Sequence, residues 1–140
     1  MISLEPLDYG GQSLHWDAIE QCVRESVGND DMTVANAMGA LRRKDMIAWA
    51  VWRDGKVAAI MVTRPVENGY SGGKAMLIYG LRGDLEMDDW HDAATQFESA
   101  CRAAGATKIV AYLRDDRAAR LANALGWTEQ RMAWKELGNG

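Results

Sequence analysis

Arg82 and Gly83 stand just past an apolar run, in the segment Gly80-Leu81-Arg82-Gly83. A guanidinium beside a glycine at a strand end suits a phosphate. Arg82 can supply charge, and the backbone N–H groups of Gly83 and Asp84 can supply donors. Tyr112 closes the next apolar run, and strand alternation points its phenol toward the same cleft, where it can give up a proton. A basic triplet, Arg42-Arg43-Lys44, reads either as an anion site or as a solvated helix end. His15 and His91 have no partner in view, and no Ser-His-Asp or Cys-His pair is supported. With two Cys and two His, none at ligand spacing, no metal site is expected.

These groups must be held by the elements around them. Lys74–Leu81 is a nearly unbroken apolar run and reads as a strand. From Asp88 to Ala104, Trp90, Ala94, Phe97, Cys101 and Ala104 recur at spacings of three and four, which gives a helix one apolar face. Gly105 supplies a left-handed stop, Thr107–Leu113 a second strand, and Asp116–Leu125 a second helix closed by Gly126-Trp127. Strand, crossover helix and strand over Lys74–Leu113 make a right-handed βαβ unit with parallel strands. Any ligand is expected there.

Upstream, residues 1–7 alternate and end near Pro6, as an edge strand would. Ser13 can cap a helix through Trp16, Ile19, Val23 and Val27 that stops at Gly28, with a turn at Asn29-Asp30-Asp31. Thr33 can cap a second helix through Val34, Ala37, Met38 and Leu41. Met46–Trp52 and Val57–Val62 flank Arg53-Asp54-Gly55-Lys56, a strong hairpin signal. A Gly-rich connection, Glu67–Gly73, leads to the Lys74 strand, and Glu129–Leu137 reads as a last strand. The expected order is βααβββαβαβ: an α/β fold, one mixed sheet with helices on both faces.

At 140 residues the chain reads as a single domain, with a variable part over 1–45, a sheet core over 46–137 and a tail over 138–140. A net charge of −4 argues against a broad nucleic-acid or membrane surface. No apolar run approaches the length of a membrane span, and no basic-then-apolar start suggests a secretory signal. Cys22 and Cys101 fall on apolar helix faces and read as buried thiols in a reducing, cytoplasmic compartment rather than as a disulfide. Six Trp and eight Met point to a well-packed core with some adaptable contact surface.

The order of elements resembles the GNAT superfamily of acyl-CoA-dependent N-acyltransferases over 46–137, and more loosely over the first 45 residues. The best local match is the last helix. The family's Asn-x-x-Ala-x-x-Leu-Tyr-x-x-x-Gly-Phe corresponds to Asp115 through Trp127 here, with Ala118, Leu121, Gly126 and aromatic Trp127 in register. Ala122 stands where many members carry the Tyr that protonates the departing thiolate, and Asp115 replaces an Asn that helps hold the cofactor. The family's pyrophosphate motif, Arg/Gln-x-x-Gly-x-Gly/Ala, is expected on Leu85–Trp90, where no motif position matches and Asp88 or Asp89 makes a natural N-cap. Two like charges about 4 Å apart repel by roughly 4 kcal/mol at an effective dielectric of 20, which opposes an anion there. The resemblance also implies a base near the fourth strand, for which Glu86, Asp84 and Tyr79 are the candidates.

Among GNAT-like proteins the chain is similar to short phage-encoded members, through Trp90, Ala104-Gly105, Leu125-Gly126-Trp127 and Lys135–Leu137. That likeness implies a phage origin, in host cytoplasm or virion. Three readings follow. The first is a GNAT shell without catalysis, needing no cofactor and acting by binding a protein partner. The second is an acetyl-CoA-dependent N-acetyltransferase that holds its cofactor with Arg82, Gly83 and Asp84 and uses Tyr112 or a bound water. The third is a small-molecule binding module in the cleft between the two parallel strands.

Overall fold

The computed structural model describes residues 2–7, 15–27, 32–67, 73–113, 115–129, 135, 137 and 138. Five strands and four helices alternate as β1 (Ile2–Pro6), α1 (Trp16–Ser26), α2 (Val34–Arg42), β2 (Ile47–Arg53), β3 (Lys56–Glu67), β4 (Lys74–Gly83), α3 (Met87–Ala103), β5 (Ala106–Ala111) and α4 (Asp116–Ala124). The first nine elements of the expected order βααβββαβαβ are found. The expected last strand, Glu129–Leu137, lies mostly outside the described residues, as do Ser13, Gly28, the 29–31 turn and 68–72 of the Gly-rich connection.

The strands form one sheet in the order β1-β2-β3-β4-β5. The first three pairs are antiparallel, and β4 with β5 is parallel, as the βαβ unit requires. Asp54 and Gly55 turn the β2–β3 hairpin with φ of 52° and 77°, the left-handed pair that a tight primed turn needs. Strand β3 runs five residues beyond the expected Val62, through Pro65. Pro65 lies past the last β2 pair, Ile47 with Thr63, so only its β4 flank is paired and a proline is tolerated.

Period-two alternation sorts the sheet's side chains onto two faces. Ala48, Ala50, Ile60 and Val62 pack with Ile19, Val23 and Leu41 of α1 and α2. Trp49, Met61 and Met76 pack with Phe97 and Cys101 of α3. Cys22 and Cys101 therefore sit in separate clusters, buried as thiols. Trp49 Nε1 donates to Thr63 Oγ1 at 2.9 Å, and that hydroxyl donates to the Ile47 carbonyl at 3.2 Å, which satisfies both buried polar groups.

Caps fix the helix ends. Thr33 Oγ1 accepts from Asn36 N–H at 3.1 Å while Asn36 Oδ1 accepts from Thr33 N–H at 3.3 Å. Helix α3 stops where Gly105 takes φ 88°. Ala104 lies beyond that helix and is exposed, and Ala93 is buried in its stead. Gln96 of α3 reaches the edge strand, accepting from Leu4 N–H and donating to the Ile2 carbonyl, both at 2.9 Å. Its amide stands in for a neighbouring strand's peptide and blunts an otherwise open edge.

Candidate functional site

Strands β4 and β5 pair only from Lys74 with Ala106 to Ile78 with Ala111. Beyond that point they part. On the other flank of β4, Thr63 faces Ile78 and Val62 faces Gly80, so Tyr79 is the extra residue of a bulge in the register. Such a bulge bends its strand and increases the local twist. The Tyr79 side chain is buried in the α1/α2 cluster and anchors the bend. Gly80 follows, where a Cβ would collide with Ser26 Oγ of α1, so only glycine lets β4 pass this close. Gly83 ends the strand at φ 151°, where a Cβ would meet Ala59 and the Ala58 carbonyl.

The parting strands open a cleft of about 810 Å³, walled by the second half of β4, the start of α3, the end of β5 and α4. Arg82, Gly83 and Tyr112 are brought together in its lining. Asp84 is not among the lining residues; its carboxylate accepts from Arg117 Nη2 at 2.9 Å on the surface. Tyr79 contributes to the floor, whereas Glu86 only precedes α3 and is exposed. His15 packs edge-on against Trp52 at 5.4 Å, and His91 is exposed on α3; neither lines the cleft. In the basic triplet Arg42 stacks 5.1 Å from the Trp16 ring and Arg43 pairs with Asp45 at 3.1 Å, which makes it a helix terminus.

Three lining residues escaped the sequence reading. Glu25 of α1 pairs with Arg82 at 3.4 Å across the cleft, and Arg117 and Arg120 present two more guanidiniums from α4. A contact between α1 and β4, more than fifty positions apart, leaves no local signal. The spacing of three between Arg117 and Arg120 did place both on one side of α4. Three guanidiniums thus face two carboxylates, Glu25 and Asp115, in the lining. Asp115 is occupied as the α4 N-cap, accepting from Ala118 N–H at 2.8 Å.

The N-cap of α3 is not the one expected. Glu86 holds that position and makes no side-chain cap hydrogen bond; Asp88 and Asp89 fall inside the first turn. The helix starts at Met87, one residue early, and this moves both carboxylates past the capping position. The first amides of α3 thus lack a side-chain cap where Met87 and Trp90 meet the cleft. Arg53 lies 3.2 Å from Asp89 and offsets one of the two charges.

Apolar surface gathers here too. Of the five exposed large hydrophobic side chains among the described residues, Leu81, Met87, Tyr112 and Leu113 line this cleft; the other is Leu137. Concentrated exposed apolar groups beside cations mark a ligand surface. Among the described residues no three His, Cys, Asp or Glu side chains group as a metal site, and no helix is long and apolar enough to cross a membrane.

Known structures share this architecture. An aminoglycoside acetyltransferase from an uncultured soil metagenomic sample, in complex with sisomicin, superimposes with a TM-score of 0.66 at 15% identity, covering 99% of this chain and 97% of its own. Glucosamine-6-phosphate N-acetyltransferase from Arabidopsis thaliana gives 0.62 at 11% identity, with 99% of each chain covered. A predicted acetyltransferase with acetyl-CoA from Clostridium acetobutylicum gives 0.64 at 10%, covering 99% and 96%. No family model matches the chain, and no curated protein matches it. The fold is that of the GNAT acetyltransferases.

Proposed function

We propose that the protein is an acyl-CoA-dependent N-acyltransferase that binds its cofactor in the cleft between β4 and β5. The observation that carries this reading is the coincidence in one 810 Å³ cleft of three arginines and four exposed apolar side chains. CoA joins phosphates to a long, largely uncharged arm, and that combination suits such a lining. Arg82, Arg120 and the uncapped amides at the start of α3 are the groups for the phosphates. The segment Arg82–Met87 leads into α3 and carries Arg in the first place of the family's pyrophosphate motif, with Leu85 and Met87 where that motif has small residues. Leu85 lines the cleft but is mostly buried, packed against Val51, Ala59 and Ala93. The bound cofactor would supply the activated acyl group. Tyr112, at the parting of the strands and partly exposed, is the phenol available to protonate a leaving thiolate.

A thermal melt tests the reading directly. CoA or acetyl-CoA at about a hundred times its dissociation constant stabilises by roughly 2.7 kcal/mol, a shift of about 5 to 10 °C in a domain of this size. A shift lost in Arg82→Ala and Arg120→Ala supports the cofactor site; a flat melt at millimolar CoA removes it.

A second reading keeps the shell without the reaction and rests on Ala122. This residue lines the cleft at the family's proton-donor position and has no proton to give. Its function would then be to bind a macromolecular partner. A flat melt with CoA, together with co-purification of a specific partner unaffected by Arg82→Ala and Tyr112→Phe, would favour it.

A further inference from the structure

Glu25 enters the cleft from α1 and divides its carboxylate between two partners. Oε1 accepts from Gln21 Nε2 at 3.1 Å, and Oε2 lies 3.4 Å from Arg82 Nε. The second contact is looser than a good charge-assisted hydrogen bond, and both side chains are about half exposed, at 50% for Arg82 and 46% for Glu25. A screened pair of this kind is easily exchanged. The other lining carboxylate, Asp115, is committed to the α4 N-terminus. Among the described residues Glu25 is thus the lining carboxylate balanced by a cation that an incoming anion would claim.

We propose that Glu25 is the acceptor-binding carboxylate of this cleft, guarded by Arg82 until an anion draws Arg82 away and leaves Glu25 to an ammonium group. The process is an exchange of ion-pair partners, with no covalent change. Phosphate offers Arg82 more charge and closer donor–acceptor contacts than Glu25 does at 3.4 Å. Once Arg82 has turned, Glu25 holds an uncompensated charge in a cleft whose lining also includes the exposed apolar side chains Leu81 and Tyr112, a setting that favours a primary amine on an organic body. Anion and amine then bind with positive coupling, each raising the other's affinity by the same factor. The identity of the anion as CoA rests on the acyl-CoA reading; the exchange itself does not.

Calorimetric titration of the full chain with inorganic pyrophosphate, CoA and butylamine tests the exchange. Glu25→Gln removes one charge from a half-exposed side chain, so the fold should persist. It should bind pyrophosphate about five-fold tighter than wild type, a gain that disappears in the Arg82→Ala background. Butylamine should bind wild type about five-fold tighter with saturating pyrophosphate than without it, and should fail to bind Glu25→Gln in either condition. Glu20→Gln, on the same helix and paired with Arg24 at 2.8 Å, controls for loss of charge alone and should leave pyrophosphate affinity unchanged. The proposal is overturned if Glu25→Gln binds pyrophosphate as wild type does, if its gain survives Arg82→Ala, or if butylamine ignores pyrophosphate. Coupling seen with pyrophosphate but no binding of CoA would uphold the exchange and remove the acyl-CoA reading. CoA binding without coupling would do the reverse.

Discussion

The sheet face under α1 and α2 and the flank formed by β5 and α4 are closed to different degrees. On the first, Ile19, Val23, Leu41 and Val62 have no exposed surface at all. On the second, no described residue of β5 or α4 is buried, although Leu121 and Leu125 turn an apolar side to the cleft. Among the described residues, then, the first side is a closed core and the second is only partly covered. Interiors pack to crystal-like density where no ligand is needed, and a wall stays partly open where a ligand supplies the missing contacts. Stability should reside on the first side and ligand response on the second.

Truncation tests that division most strongly. Leu41→Ala should cost about 2 to 5 kcal/mol in urea unfolding, because a fully buried leucine leaves a cavity. Leu121→Ala should cost less, about 1 to 2 kcal/mol, since Leu121 is only partly buried. Equal losses would erase the contrast.

Gly80 lies on the border between the two regions. Gly80→Ala should destabilise by about 1 to 3 kcal/mol by forcing β4 away from Ser26, and it should weaken the proposed CoA binding by shifting the bulge. Loss of stability with ligand affinity intact would show that the bulge does not shape the cleft.

At the far edge, Gln96→Ala strips a donor and an acceptor from β1 and should cost about 1 kcal/mol. Its second signature is concentration-dependent association through the opened edge, measurable by light scattering.

The smallest effect concerns pH. Burial, with the Glu98 charge adding to it, pushes the Cys101 thiol above its ordinary value. A raised thiol favours the native state while the unfolded chain's thiol is still protonated, and that contribution fades as pH rises through the thiol range. Relative to Cys101→Ala, wild-type stability should be flat below neutral pH and fall in alkaline buffer. Native-state alkylation of Cys101 should also be slow.

Some of this could be read from residue order. Thr33 capped its helix and Asp54-Gly55 turned its hairpin, because caps and tight turns are settled within four residues. The parallel pairing of β4 with β5 followed from crossover handedness. Arg82 and Tyr112 line one cleft because both lie near the ends of adjacent strands of one βαβ unit. The α3 cap fell two residues before the nearer expected one: three carboxylates, Glu86, Asp88 and Asp89, compete for it, and local propensity cannot rank them.

What the sequence by itself determined, among the described residues, is the set of elements from β1 to α4, their order and the two-faced sheet, for hydrophobic periodicity and turn chemistry are short-range properties of the chain. Only the tertiary structure decided that Glu25 meets Arg82, that Tyr79 bulges β4 away from β5, and that α4 stays half packed against the cleft. Those outcomes depend on how distant segments divide the same space, a competition that no local window of sequence records.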